Sequence, residues 1–274
     1  MFDVCFRFSE VPKKRVSKLR TSNIEKRTSN TKPQKMQESY SDTIFSRWKE
    51  AILNPQYSVK LIITNAIFIV GAVQFPTYFS HIQKRNGQML NDFVLDFLPA
   101  HDVSTPIFTI IYGLLIYMLC RVLTKPNLFL LFGLTFVIET VFRMTTIYIF
   151  PLNAPVNLVF LHDTFAELLI YGNAEPITKD LFFSGHTSTM VMIWLFLQTP
   201  TEKIVAGIAT FILATLLLIQ HVHYTVDVLG AFFFTYLSYL IAKQIVDKKW
   251  FVTVGVMLGF YVVLQTVFYV GSKI

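Results

Sequence analysis

Seven apolar runs separated by short polar stretches constrain the fold of this chain more than any other feature of it. A bilayer core asks for roughly 20 apolar residues of helix. The runs Leu61–Phe79, Pro106–Val122, Asn127–Phe150, Leu181–Leu197, Ile204–Gln220, Val226–Val246 and Phe251–Val270 are read as membrane spans. The fourth and fifth are short and meet at Thr199–Lys203, where Pro200 breaks the helix. Composition agrees: 53% of residues are hydrophobic and only 15% charged, against about a quarter charged in a soluble domain. The expected fold class is therefore all-α, a polytopic transmembrane helical bundle of six core spans plus a seventh C-terminal span.

The polar remainder divides the chain. Residues 1–41 are basic and rich in Ser, Thr, Asn and Gln, without an apolar signal-peptide core, and read as a disordered cytosolic tail. Residues 42–60 form an amphipathic juxtamembrane segment in which Ile44, Phe45, Trp48, Ile52 and Leu53 share one helical face. That face suits the membrane interface or the protein's own cytosolic end. Residues 61–248 make the transmembrane domain that carries the chemistry, and residues 249–274 the additional span. Gly255 and Gly259 in that span have the spacing that lets helices approach closely, against the bundle or in a homodimer. The formal charge is +7, with more than half of the Lys and Arg before Leu61. Such a tail suits an anionic lipid surface, and no nucleic-acid-binding module accompanies it. Lys and Arg in the short loops place the N-terminus in the cytosol and the C-terminus on the other side. The loops rich in acids, Ser80–Thr105 and Pro151–Asp180, then face the lumen or exterior.

Three groups of residues can do chemistry. In Phe183-Ser184-Gly185-His186-Thr187, Gly185 permits close backbone approach to a phosphate. Ser184, Thr187 and the first N–H groups of the following helix can donate to its oxygens. His186 then stands where a general acid or base is useful, although the same residues also suit a plain helix start with an interfacial histidine. In His221-Val222-His223-Tyr224-Thr225-Val226-Asp227, His223 and Asp227 are four apart and face the same way on a helix. The carboxylate would fix the imidazole tautomer and leave the other nitrogen free to attack phosphorus; a structural pair closing a turn is the alternative. His221 reads as a turn residue. Glu139 and Arg143, also four apart inside the third span, are expected to pair within the bundle. Arg143 could hold a phosphate oxygen, with Tyr148, Pro151 and Pro155 shaping the loop wall. No metal site and no cofactor is expected.

Two of these segments, Asp180-Leu-Phe-Phe-Ser-Gly-His-Thr and His221-Val-His-Tyr-Thr-Val-Asp, resemble the third and fourth signature motifs of the sphingomyelin synthase family. That family is a branch of the type-2 phosphatidic acid phosphatase superfamily. Arg143-Met-Thr-Thr-Ile-Tyr148 before Pro151, and Leu90-Asn-Asp92-Phe-Val-Leu-Asp96, are similar to its second and first motifs, in the right order. The resemblance implies transfer of a phosphorylated head group, often phosphocholine, from a glycerophospholipid to ceramide or another lipid alcohol, leaving diacylglycerol. Membrane lipids would be the partners, on the lumenal or exoplasmic side of a Golgi or plasma membrane. It implies His223 as nucleophile, Asp227 as its support and His186 as acid and then base, with Arg143, Tyr148, Asp180, Ser184, Gly185 and Thr187 binding substrate. Lys179 stands where the family has glycine, Asn91 replaces a proline, and a seventh span follows the usual six.

A lipid phosphate phosphatase of the same superfamily would carry a Lys and an Arg-Pro motif before the first histidine and an Arg ahead of the second. Neither is present, which favours a phosphodiester over a phosphomonoester dianion. A lipid-binding scaffold and a transporter complete the alternatives. The full histidine and aspartate set opposes the first, and the absence of paired interrupted helices opposes the second.

Overall fold

The computed structural model describes residues 32–162 and 177–271. Residues 1–31 of the expected tail, Asp163, Glu167 and Glu175 of the acidic loop, and Lys273 lie outside them. The described chain folds as a helical bundle: α1 (Lys32–Leu53), α2 (Pro55–Lys84), α3 (Phe93–Phe97), α4 (Ser104–Leu123), α5 (Pro126–Ile149), α6 (Gly185–Phe196), α7 (Pro200–Ile219), α8 (Thr225–Val246) and α9 (Trp250–Gly271). α1 starts at Lys32, ten residues before the expected juxtamembrane segment.

Sequence signals set the helix starts. Pro55, Pro126 and Pro200 each open a helix, where the missing N–H costs nothing and φ is already helical. Pro200 thus begins α7 more than it breaks a span. Thr199 caps it in a box with Glu202. Among the described residues, six helices are long and apolar enough to cross a membrane. The expected fourth span differs. Residues 181–184 are not helical, and Ser184 caps a helix of 12 residues, about 18 Å long at the α-helical rise. A helix that short would leave backbone ends in hydrocarbon. α6 avoids this by lying inside the bundle, packed by α4, α7 and α8.

The helices alternate in direction, giving the bundle two ends. At one end Trp48 Nε1 donates to the Leu123 carbonyl, Arg121 pairs with Glu202 at 3.0 Å, and Lys60 Nζ donates to the Val246 and Lys248 carbonyls. This is the basic end. At the other end meet the α7–α8 turn, the starts of α4 and α6, and the end of α5. α5 is central, packed by α2, α4, α8 and α9. α9 lies on α2 and α5, burying Met257, Leu264 and Val267. Gly255 and Gly259 face away from that packing, since a Cβ on either would meet nothing within 4 Å. The small-residue spacing therefore does not serve contact with the bundle.

Candidate active site

His223 and Asp227 meet as the spacing predicts. Asp227 sits in the first turn of α8, and His223 lies just before that helix. Their Nδ1···Oδ2 distance is 3.4 Å. Asp227 is fully buried and His223 nearly so. The same Oδ2 accepts the Tyr224 N–H at 2.9 Å, which holds the carboxylate at the helix start. Oδ1 has no hydrogen-bond partner among the described residues. A buried carboxylate with an unmet oxygen is costly, and a positive charge developing on His223 would offset that cost.

His186, second residue of α6, places its ring centre 6.1 Å from that of His223. Ring centres this close let both imidazoles border one phosphate group. The two motifs are also joined through the backbone: Ser184 N–H donates to the Asp227 carbonyl at 3.1 Å. Gly230, one turn further along α8, allows the close pass. A Cβ there would lie 2.9 Å from Phe182 Cε2 and 3.1 Å from Phe183 Cβ.

Arg143 reaches the same place from α5. Its Nη2 donates to Asp180 Oδ2 at 2.9 Å and to the Asp180 carbonyl at 3.1 Å, and Nε donates to the Phe183 carbonyl at 3.1 Å. Nη1 makes no hydrogen bond among the described residues, leaving two donors for a phosphate oxygen. The guanidinium lies against Gly185, where a Cβ would stand 2.9 Å from Cζ. Gly185 thus makes room for Arg143. The expected Glu139–Arg143 pair does not form. Glu139, one turn deeper on α5, accepts the Ser188 hydroxyl at 2.8 Å, one turn deeper on α6. α5 and α6 present successive rungs to each other, and each polar group finds its partner across the interface, not along its own helix.

Other expected residues fall elsewhere. Ser184 and Thr187 are fully buried and satisfy each other: Ser184 Oγ accepts the Thr187 N–H at 3.3 Å and its hydroxyl at 3.1 Å. They build the start of α6. The Tyr148 ring packs on the cluster of Tyr78, Val267 and Phe268 between α2, α5 and α9. Asp180 is the ion-pair partner of Arg143. Lys179, where the family pattern has glycine, donates to the Arg85 carbonyl at 2.6 Å and ties this segment to the end of α2.

A polar frame drawn partly from the first and fourth motifs fixes the site. Asp92 accepts the Thr225 N–H at 2.5 Å and its hydroxyl at 2.9 Å, capping α8 from a distant loop. Tyr224 OH donates to the Asn153 carbonyl. Gln220, fully buried, bonds Asp102, Ser104 and the Phe160 carbonyl. His221 adopts φ 56°, and its ring nitrogens each lie 3.0 Å from a carbonyl oxygen, of Val156 and Leu98. It is the turn residue expected. Phe108 of α4, unremarked in an aromatic-rich sequence, sets its ring edge-on to His186 at 5.9 Å and stacks on Tyr112.

This geometry coincides with a recognised family segment. Residues 179–245 match the PAP2 superfamily C-terminal model. The match runs from Lys179 through both histidine motifs to the end of α8. It supports the type-2 phosphatidic acid phosphatase superfamily, whose members are phosphatases or phosphotransferases, without singling out the sphingomyelin synthase branch. No curated protein and no solved structure matches the chain in the comparisons made. The PAP2 match and the long apolar helices agree on a multi-pass membrane protein with a lipid-related activity.

Proposed function

We propose that the protein is a membrane phosphotransferase that moves a phosphorylated head group, phosphocholine or similar, from a glycerophospholipid to ceramide or another lipid alcohol, releasing diacylglycerol. The observation that carries this reading is the meeting of His186 with the buried His223–Asp227 pair, 6.1 Å between ring centres. In the first step His223 Nε2 attacks phosphorus, and the bond from phosphorus to the diacylglycerol oxygen breaks. His186 gives that oxygen a proton. In the second step the acceptor hydroxyl attacks phosphorus, His186 takes its proton, and the phosphorus–nitrogen bond breaks. A covalent intermediate divides one hard displacement into two easier ones. Arg143 Nη1 holds a non-bridging oxygen as charge gathers there. The aromatic pair Phe108 and Tyr112 beside His186 supports a quaternary ammonium head group.

The cations favour a phosphodiester substrate over a phosphomonoester. Arg143 is the cation that reaches this site from α5, and it is already shared with Asp180. One partly neutralised guanidinium suits a phosphodiester monoanion better than a phosphomonoester dianion. The distribution of Lys and Arg supports an active site on the lumenal or exoplasmic side. The test is an assay of purified protein with donor lipids of different head groups, with ceramide, diacylglycerol or water alone as acceptor, and mass detection of products. Head group transferred to ceramide is expected. Phosphate released from a phosphomonoester lipid, with no transfer to any lipid alcohol, would replace this reading with a phosphatase.

A further inference from the structure

The basic end of the bundle, remote from the histidines, carries an open hollow of about 1010 Å³. Six cations line it: Arg47, Lys60, Lys125, Lys243, Lys248 and Lys249. Two carboxylates, Glu50 and Asp247, accompany them, so the lining carries a formal charge of +4. None of the six cations is in an ion pair among the described residues; the ion pair nearest in the fold joins Arg121 to Glu202. Loops of a membrane protein often gather Lys and Arg on one side, but that rule spreads charge over a surface. Here cations from α1, α2, the α4–α5 junction and the α8–α9 junction converge on one hollow.

Three further features point to a phosphorylated ligand with a lipid tail. First, α5 starts at the cavity, with Asn127 in the wall. Its cap residue Lys125 makes no side-chain capping bond, so the Asn127 and Leu128 N–H groups of this 24-residue helix have no side-chain acceptor among the described residues. Second, a smaller apolar cavity of about 270 Å³, lined by Leu61, Phe68, Leu119 and Phe132 between α2, α4 and α5, shares the wall residue Leu130 with the basic one. A head-group hollow therefore adjoins an apolar groove. Third, α1 places this hollow at a membrane surface. Trp48 is fastened inward, edge-on to Phe129 and bonded to Leu123, while Phe45, Ile52 and Leu53 are exposed. An amphipathic helix so arranged lies in the interface.

We propose that this cavity is a second lipid site, which binds the head group of an anionic phospholipid bearing phosphomonoesters, with an acyl chain in the adjoining groove. Phosphatidylserine, whose phosphodiester, carboxylate and ammonium sum to a single negative charge, would match the lining, with its formal charge of +4, less well. The proposal does not depend on the chemistry assigned to the histidines.

The experiment uses the full chain in neutral detergent micelles. Retention of a labelled phosphatidylinositol bisphosphate on the immobilised protein is measured at physiological salt. Saturable retention is expected, well above that of phosphatidylserine at equal mole fraction. Lys125→Gln with Lys248→Gln, both at exposed positions, should weaken it by about an order of magnitude or more. Lys49→Gln, an exposed cation on α1 outside the cavity, should change it little. Soluble inositol trisphosphate should compete only at much higher concentration. Equal retention of the two lipids, or equal loss in the Lys49 and Lys125/Lys248 variants, would show diffuse attraction and overturn the site. Binding of the soluble head group as tight as that of the lipid would overturn the lipid assignment.

Discussion

Asp227 concentrates the chemistry at the residue scale. It is buried, shares one oxygen between His223 and the Tyr224 N–H, and leaves the other oxygen without a partner among the described residues. Asp227→Asn keeps the shape and removes the charge that supports a cationic ring. Turnover should fall by about two to four powers of ten, with little change in thermal stability; a variant retaining most of its turnover would detach Asp227 from the mechanism. Gly185→Ala tests a different dependence. The added methyl must displace the guanidinium that three hydrogen bonds hold beside it. Misplacement on that scale costs about a hundredfold in rate, and Arg143→Lys should not restore it. The His223–Asp227 pair was legible because both residues lie within one helical turn of sequence. Arg143 was legible as a buried cation, but its partner was not. Asp180 comes from another segment, and sequence spacing carries no information about which helix faces α5.

At the scale of elements, the site depends on how α6 and α8 begin. Ser184 caps α6, Asp92 caps α8, and the Ser184–Asp227 backbone bond joins the two starts. Asp92→Ala removes acceptors from the Thr225 N–H and hydroxyl together. A lost cap costs about 0.5–2 kcal/mol, so the melting temperature in detergent should drop and turnover with it. Asp92→Asn, which keeps an acceptor, should recover most of both; equal damage from the two would mean that the charge matters and not the cap. Long apolar runs made seven helices readable, whereas Pro200, read as a break, opens α7. The length of α6 was not readable, because Leu181, Phe182 and Phe183 are as apolar as a span. What stops the helix there is Ser184 turning its hydroxyl to the Thr187 N–H. The same bond removes Ser184 from the groups that could face a phosphate.

Across the whole molecule, the two proposed sites lie at opposite ends. The histidines lie at one end, and the basic cavity and α1 at the other. Among the described residues α2 starts at the basic end and α9 finishes at the other, which predicts chain termini on opposite sides of the membrane. Acceptor tags for glycosylation at each terminus should be modified only beyond Ile274; modification at the N-terminus would invert the arrangement and place the histidines in the cytosol. Charge asymmetry along the sequence predicts the same topology. Gathering of cations into one cavity was not visible there, because it depends on the ends of α1, α2, α5 and α8 meeting in space.

The nucleophilic role of His223 is tested most directly by incubating the protein with donor lipid and no acceptor, then measuring the intact mass and locating any adduct by fragmentation. The account predicts one phosphorylated head group on His223, one diacylglycerol released per adduct, and loss of the adduct when ceramide is added. His223→Ala should give neither adduct nor turnover. Steady turnover with no adduct at any time, or appreciable turnover by His223→Ala, would contradict it.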